Sequence, residues 1–438
     1  MYHFLKNKIS KESYLNFLIF LIPFSFIAGN LLININIILI ISLGLLFYKK
    51  LLKNIKYYLL DKLILLYFIL LLVAGISSDH YFYSEKIIWT PDPVTTFKAI
   101  LFAKYILFYL VLRAFVEKNL INFKFFFISC LAASLFVSFD IFYQLINGED
   151  IFGFKSTETR KLAGPFDDEY IAGSFIQRFS IFSFFLIPIF FRKFNQKHLR
   201  WITPLLFVIF FLGITFSGNR MPLILFLFSI VLIFLFQKNI RKYFTYFLIL
   251  FPIIFLLIYN FNPQVKNNFN NLFTQVKEMK TIITSKKPSE ETAHFLYIKQ
   301  FKSFYDTWLI NKYVGGGIKN FRYFCHHIPD EKKQSNFTCN MHPHNYYLEI
   351  LTESGIIGFI IILSIFSIII YLSLIKKYFM KSNLKNINII IPFIFLFIVE
   401  IFPIKSTGSF FTTGNTTYLV FLIAVLIGFS RKEKIIEK

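Results

Sequence analysis

Apolar runs of roughly 17 to 25 residues recur along most of this 438-residue chain. A run of that length can cross a hydrocarbon core of about 30 Å as an α-helix. Composition agrees, because 56% of the residues are hydrophobic, mean hydropathy is +0.60 and only 16% are charged, against about a quarter in ordinary soluble domains. The pattern therefore predicts an all-α polytopic membrane protein.

The apolar runs predict about 12 transmembrane helices. One membrane domain, residues 1–438, carries a single large insertion, the loop 261–345 between the ninth and tenth spans. Within that loop, helical spacing of apolar residues predicts a helix over 293–308. The predicted spans are 13–29, 31–48, 59–77, 97–113, 124–146, 171–191, 201–217, 221–236, 243–260, 346–374, 387–403 and 415–430.

The net charge of +23 raises the possibility of nucleic-acid binding, but the distribution of the charge argues against it. Lysine and arginine concentrate in alternate connecting segments, such as 49–56, 192–200 and 376–385, and are sparse in the short segments between them. This is the positive-inside asymmetry that sets membrane orientation. It predicts that both termini are cytoplasmic and that loop 261–345 faces outward.

Ionisable side chains inside the spans gather in the outer half of the predicted bundle. Such residues are costly in lipid and suggest a functional site by default. A cavity open to the outer face explains this bias, whereas interhelical ion pairs, for example Asp140 with Arg178, are the plain structural alternative. The residues concerned are Lys98, Lys104, Asp140, Arg178, Glu349, Glu353, Glu400 and Lys405.

The most specific motif lies where the long outer loop meets the tenth span. His344-Asn345 is followed, after nine residues, by Gly355-x-x-Gly358. A second polar motif, Ser217-Gly218-Asn219-Arg220, occupies a very short outer turn between two apolar spans. Histidine titrates near neutrality and suits a general base, and arginine binds phosphate oxygens in bidentate fashion.

These motifs resemble the signature of the O-antigen ligase and polymerase superfamily, most strongly within a ligase-like catalytic region over 205–360. The His-Asn and Gly-x-x-Gly elements match the family pattern without a gap, and Arg220 stands close to the family's essential arginine. Further similar segments are Gly315–Arg322 before the histidine, Gly164–Glu169, and Ser406–Phe411. Many ligases carry a second arginine early in the long loop, where His294 stands here.

The resemblance implies a GT-C-like, metal-independent glycosyltransferase of the bacterial inner membrane with its active site facing the periplasm. The donor is a glycan on undecaprenyl diphosphate, and no cofactor is expected. The acceptor is lipid A-core in a ligase or a growing polysaccharide in a polymerase; protein O-oligosaccharyltransferases also belong to the superfamily. The alternative from a different class is a transporter of lipid-linked sugars, although polar groups near the bilayer midplane, typical of transporters, are not evident.

The resemblance also implies roles for individual residues. His344 is the predicted general base, and Arg220 is predicted to stabilise the diphosphate leaving group. The remaining candidates for substrate binding are Asn345, His294, Lys319, Arg322, Arg178, Lys104 and Glu353.

Two cysteines of the outer loop, Cys325 and Cys339, are predicted to form a disulfide, since an oxidising compartment favours one. Two free thiols are the alternative. A zinc site built from these cysteines and nearby histidines lacks standard ligand spacing, so no metal is expected.

Overall fold

The computed structural model of the chain describes residues 10–84, 94–158, 161–191, 196–284, 296–321, 342–379, 389–406 and 408–431. Within those ranges the regular secondary structure is helical, and the β-type pairing is limited to one isolated bridge between Glu149 and Lys155. The predicted all-α class is therefore confirmed.

The helices are numbered here in chain order. Helix α13 contains a break and runs on as a π-helical segment over Tyr371–Phe379. The helices are α1 (Lys11–Ile27), α2 (Asn30–Phe47), α3 (Lys49–Lys53), α4 (Leu59–Ser84), α5 (Val94–Glu117), α6 (Phe123–Asn147), α7 (Ala172–Phe190), α8 (Gln196–Phe216), α9 (Arg220–Phe236), α10 (Lys238–Phe261), α11 (Pro263–Thr284), α12 (Leu296–Ile310), α13 (Tyr346–Ile370), α14 (Ile390–Glu400) and α15 (Thr413–Arg431).

Seven helices in the described ranges are long and apolar enough to cross a membrane, namely α2, α4, α5, α6, α7, α13 and α15. Shorter apolar stretches lie at Trp201–Phe216, Arg220–Phe236, Phe251–Phe261 and Ile390–Glu400. Each of the twelve predicted spans overlaps a described helix. The polytopic character is confirmed, and the number of twelve crossings stays a prediction.

Polar residues mark the ends of these helices. The Asn122 side chain caps α6 by accepting a 3.1 Å hydrogen bond from the amide of Lys124, and Gly148 ends the same helix in the left-handed conformation. Capping matters here because the first and last turns of a helix leave backbone groups without partners. Local sequence thus sets where a helix starts and stops, while packing sets how the helices meet.

Helices α7 and α15 lie in the interior of the bundle. Phenylalanine rings fill the space between α6, α7, α14 and α15, with centroid distances of 5.0 Å between Phe126 and Phe182 and 4.9 Å between Phe182 and Phe393. Tilted and edge-on pairs of this kind add to close packing, which is the main force between helices in lipid. The core therefore holds the functional ends of α7, α13, α14 and α15 in fixed relative positions.

The loop between α10 and α13 is partly helical. Its described part contains α11, which follows α10 after Asn262, and α12, which packs against α13. The predicted helix over 293–308 corresponds to α12. His344 lies two residues before the first residue of α13. The end of the bundle that carries the starts of α13 and α15 is therefore called the His344 end.

Candidate functional site

Helix α13 is broken at the first glycine of the Gly-x-x-Gly motif. Gly355 has φ 64° and ψ −174°, so the predicted span 346–374 is not one continuous helix. The backbone groups freed by the break are paired with the segment after α12. Ile356 N–H donates to Lys312 O at 2.9 Å, and Gly317 N–H donates to Glu353 O at 2.8 Å.

The contact between the segment after α12 and the break in α13 explains why glycine stands at Gly315 and Gly355. A side chain on Gly315 would overlap the backbone of Ser354, and one on Gly355 would overlap the carbonyl of Tyr313. Gly355 also has a positive φ, a conformation that costs other residues free energy. Gly358 lies against the Ser354 side chain. The motif glycines are therefore structural: they let the outer loop pack directly on the helix that follows His344.

His344 lies just outside α13 in the left-handed conformation, with φ 54°. Its ring meets that of His342 at a centroid distance of 4.3 Å. Partial burial lowers the pKa of His344 below its usual 6.5, and the nearby positive charge of Lys161 lowers it further. The imidazole is therefore neutral at pH 7 and able to accept a proton.

Asn345 fixes the backbone beside His344. Its side-chain oxygen accepts from the amides of Tyr347 at 3.0 Å and Leu348 at 3.2 Å, which caps α13. Its side-chain nitrogen donates to the carbonyl of Pro403 at 2.9 Å. The amide group of Asn345 is thus engaged by the protein backbone at the start of α13. The prediction that Asn345 binds substrate stays untested.

Arg220 begins α9, and its Nη1 donates to Gln275 Oε1 of α11 at 3.0 Å. The loop 161–171 joins this turn to the neighbourhood of His344. Asn219 Nδ2 donates to the carbonyl of Tyr170 at 2.8 Å, and the Lys161 ammonium lies 5.1 Å from the Tyr170 ring centroid. Because Lys161 also acts electrostatically on His344, both predicted catalytic residues border the same loop.

A buried charge cluster lies beside the start of α13. Arg178 Nη2 contacts Glu400 Oε1 at 2.7 Å, and Lys405 Nζ contacts the same oxygen at 2.5 Å. Tyr346, two residues after His344, donates to that oxygen at 2.7 Å, and Asn415 accepts from Arg178 at 2.7 Å. Arg178 thus pairs with Glu400, not with Asp140 as the ion-pair alternative suggested.

Lys405 is the more easily titrated of the two cations in this cluster. It lies in the connection after α14, with 4% of its side chain exposed. Burial lowers its pKa to about 8, Glu400 opposes that change, and Arg178 adds to it. With two cations and one carboxylate, the cluster carries one surplus positive charge at pH 7.

The two carboxylates of α13 accept hydrogen bonds from other segments of the protein. Glu349 accepts from Ser409 Oγ and from the amide of Phe410, each at 2.5 Å. Glu353 accepts a hydrogen bond from the Lys319 amide. Glu353 therefore supports the docked glycine segment, and Lys319 stands at that contact. The prediction that either residue contacts substrate stays untested.

The remaining candidates are separate from this site or lie outside the described part of the chain. Lys104 Nζ donates to Asn34 Oδ1 at 2.6 Å, between α5 and α2. His294, Arg322, Cys325 and Cys339 fall in ranges that the structure does not describe. Among described residues, no group of three His, Cys, Asp or Glu side chains is arranged to hold a metal ion.

Sequence reasoning missed Lys161, Tyr346 and Asn415. Each is an ordinary residue type near a loop, and only the packing of distant segments brings it to the site. Arg178, Glu400 and Lys405 were singled out for charge at the membrane, but the pairing of both cations with Glu400 was not foreseen. A signal did exist, since a carboxylate and two cations in the same half of the bundle are expected to pair.

The fold and site define a polytopic helical membrane protein with a histidine and several cations at one end. Residues 205–363 match the model of the O-antigen ligase family. The match supports the resemblance to the O-antigen ligase and polymerase superfamily that the motifs show. No curated protein matches the chain.

Proposed function

We propose that this protein is a membrane glycosyltransferase that moves a glycan from an undecaprenyl-diphosphate carrier to a sugar hydroxyl of lipid A-core, as an O-antigen ligase. The observation that carries the proposal is the neutral, half-buried His344, held by a capped helix start beside a cluster with surplus positive charge. It lies within the region that matches the family.

His344 acts as the general base in this proposal. The acceptor hydroxyl must lose a proton as it attacks the anomeric carbon of the donor. A neutral imidazole accepts that proton, and the lowered pKa keeps the imidazole neutral at pH 7. The Asn345 cap and the packing of the Gly355 break hold the helix that follows His344 in place.

Protein cations stabilise the leaving group. The carbon–oxygen bond to the diphosphate breaks as the new glycosidic bond forms, so negative charge grows on the phosphate oxygens. Arg220 is assigned to those oxygens because its guanidinium stays charged and can bind two of them. Lys161, which lies over the Tyr170 ring and acts electrostatically on His344, adds a second positive charge, and preorganised charge of this kind is a large catalytic term.

The proposal places the reaction at the periplasmic face of the bacterial inner membrane. The positive-inside pattern supports this placement, because it predicts that His344, Arg220 and Lys405 lie at the outer face, where a flipped lipid-linked glycan is accessible. No cofactor or metal is assigned, because His344 and the cations provide the acid–base and charge-balancing groups that the transfer requires.

His344→Ala tests the proposal, and His342→Ala is the matched control because its ring contacts His344. We expect His344→Ala to lower transfer by about 10²- to 10⁴-fold, with normal amounts of inserted protein. His342→Ala should retain most of the activity. Normal transfer by His344→Ala would overturn the assigned base and favour a transporter of lipid-linked sugars.

Deleting the gene in its host separates the acceptor classes. Long glycans that remain on the carrier beside bare lipid A-core indicate a ligase. Single repeat units on lipid A-core, with no long chains, indicate a polymerase, and loss of glycan from proteins alone indicates a protein O-oligosaccharyltransferase. The measurement is separation of the lipid-linked, lipid A-linked and protein-linked glycans by size.

A further inference from the structure

Helix α12 turns a row of apolar and aromatic side chains toward the outside of the protein. The side of the helix that packs against the rest of the chain is partly polar, since it carries Ser303, Phe304 and Thr307, all buried. In water the apolar side of a helix normally faces the protein, so the outward row indicates an apolar or interfacial surrounding. The row, called here the α12 stripe, consists of Phe301, Tyr305, Leu309 and Ile310, together with Tyr313 in the turn that follows.

The turn after α12 lies level with the edge of the hydrocarbon core, as measured along α13. The apolar span that includes α13 runs for 31 residues, Tyr346–Lys376, whereas a core of about 30 Å takes only about 20. With the exposed Lys376 at the far boundary, the core ends near residue 357. The amide of Ile357 donates to the carbonyl of Tyr313 at 3.3 Å, which places the turn at this boundary.

Helix α4 gives the same depth independently. Its apolar span is Leu59–His80, and Gly75 lies five residues before the end of that span, about 8 Å along a helix. A side chain on Gly317 would come within 3.1 Å of the Cα of Gly75, and the Asn320 side chain donates to Ser78 Oγ. The segment after α12 therefore meets both helices close to one edge of the membrane.

The α12 stripe continues the lipid-facing side of α13. Ile357 is 44% exposed and Ile360 is 56% exposed, and their spacing puts them on one side of the helix. Exposed apolar residues on a transmembrane helix face acyl chains. Because Ile357 is bonded to Tyr313, the stripe begins where this lipid-facing side ends.

The residue types at the end of α12 suit the headgroup region. Tryptophan and tyrosine concentrate at membrane–water interfaces, where one part of the ring system is apolar and another is polar. The indole N–H of Trp308 donates to the carbonyl of Lys312 at 2.9 Å. The ammonium of Lys312 lies 5.1 Å from the ring centroid of Tyr313, and lysines at this level attract lipid phosphates.

We propose that the end of α12 and the turn after it, residues 305–313, form an interfacial anchor that binds the bilayer surface at the His344 end. The aromatic and aliphatic side chains of the α12 stripe enter the boundary between headgroups and acyl chains, and Lys312 contacts lipid phosphates. The anchor holds the loop that completes the α13 break against the membrane. This lipid-binding surface goes beyond the proposed function and does not depend on it.

Tryptophan fluorescence tests the anchor in the full-length chain. Replacing Trp89 and Trp201 by Phe leaves Trp308 as the single tryptophan, and the protein is reconstituted in phosphatidylcholine liposomes brominated near the top or near the middle of an acyl chain. Trp308 should lose about half of its fluorescence to the lipid brominated near the headgroup, since tryptophan settles at that level. Lipid brominated deeper and acrylamide in the water should quench it less.

A tryptophan at an exposed loop position is the control for that measurement. Asp168→Trp, in a chain whose three native tryptophans are Phe, should be quenched by acrylamide and little by brominated lipid. The two probes then report on water and on lipid in the same reconstituted protein.

A substitution in the α12 stripe tests whether its apolar side chains hold the helix in the interface. Leu309→Asp should lower the quenching of Trp308 by brominated lipid about twofold, because buried apolar area holds such helices in the bilayer. Leu46→Asp makes the same exchange at a site that is 73% exposed near the end of α2. It should leave the quenching of Trp308 unchanged.

Two results would overturn the anchor. Strong quenching of Trp308 by acrylamide with none by brominated lipid would place the stripe in water, and resistance to both quenchers would show that protein, such as a second copy of the chain, covers it. Unchanged quenching in Leu309→Asp would also contradict the anchor. His344→Ala should keep the wild-type quenching, so its loss of transfer tests the proposed function alone.

Discussion

Two buried charge clusters lie at opposite ends of the helical bundle, and they differ in whether their charges cancel. At the end away from His344, Asp61 contacts Arg113 at 2.6 Å and Arg431 at 3.3 Å, and Arg113 also contacts Glu117 at 2.6 Å. Two carboxylates therefore face two guanidinium groups. The contacts join α4, α5 and α15, and Asp61 also accepts from the amide of Tyr58 at 2.7 Å.

The cluster at the His344 end is not balanced. Glu400 alone faces both Arg178 and Lys405. Taking charge out of water is expensive, so a buried cation without its own carboxylate is unfavourable for folding alone. The balanced cluster accordingly holds helices together, whereas the unbalanced one supplies positive potential where an anionic substrate is proposed to bind.

The largest expected effect on stability comes from Asp61→Asn. The substitution leaves two buried arginines without their shared carboxylate and should cost about 3–5 kcal/mol. Thermal unfolding in detergent would show it. Asp168→Asn, at an exposed loop position, is the control and should leave the midpoint unchanged. A small effect of Asp61→Asn would show that the balanced cluster does not hold the helices together.

Gly355→Ala should loosen the His344 end specifically. Alanine at a positive φ is strained by about 1–3 kcal/mol, and its methyl group would also overlap the Tyr313 carbonyl. We expect faster proteolysis of the loop 261–345 and a lower unfolding midpoint. Gly414→Ala, where the nearest atom to an added methyl group is 3.7 Å away, should show neither change.

Lys405→Met removes the surplus positive charge of the cluster at the His344 end. It tests whether that charge helps to bind the anionic donor. We expect the KM for the lipid-linked donor to rise roughly tenfold, the loss typical of one charge-assisted contact. Because the pKa of Lys405 is about 8, donor binding in the wild type should also weaken above that pH. Arg431→Met, at the other end, should lower stability without changing KM; equal effects of both variants on KM would contradict the distinction.

The smallest expected effect concerns pH. The base must be neutral, and the pKa of His344 is lowered, so activity should decline only when the pH falls below the usual 6.5 of a histidine. Lys161→Met removes a positive charge that disfavours the protonated ring. The acid limb of kcat/KM should therefore move to higher pH. A shift in the opposite direction would show that Lys161 does not act on His344.

The fold was largely predictable from the sequence, because lipid permits few structures. Runs such as 124–146 are long and apolar, and helix α6 follows that run closely. The break at Gly355 was not predicted, since the surrounding sequence is uniformly helical in pattern. It depends on a partner, Gly315–Gly317, which lies some forty residues earlier in the chain.

The site was predictable in part. The His344 motif and the polar turn at Arg220 could be read locally, because each is a short pattern at the end of an apolar run. The pairing of Arg178 with Glu400 could not, because the two residues are separated by 222 positions and meet only through the packing of α7 on α14. Likewise, the helix-capping role of Asn345 depends on the exact residue at which α13 begins.

The docked break in α13 has a consequence for exchanging parts between related proteins. Residues 312–317 and 352–357 complete each other's backbone hydrogen bonds, so neither segment is a separable module. A chimera that takes its outer loop from one protein and the following span from another would pair two segments that did not evolve to form these backbone hydrogen bonds together. Crossover points should therefore lie before Lys312 or after Gly358, so that the loop segment, His344 and the start of the span all come from the same protein.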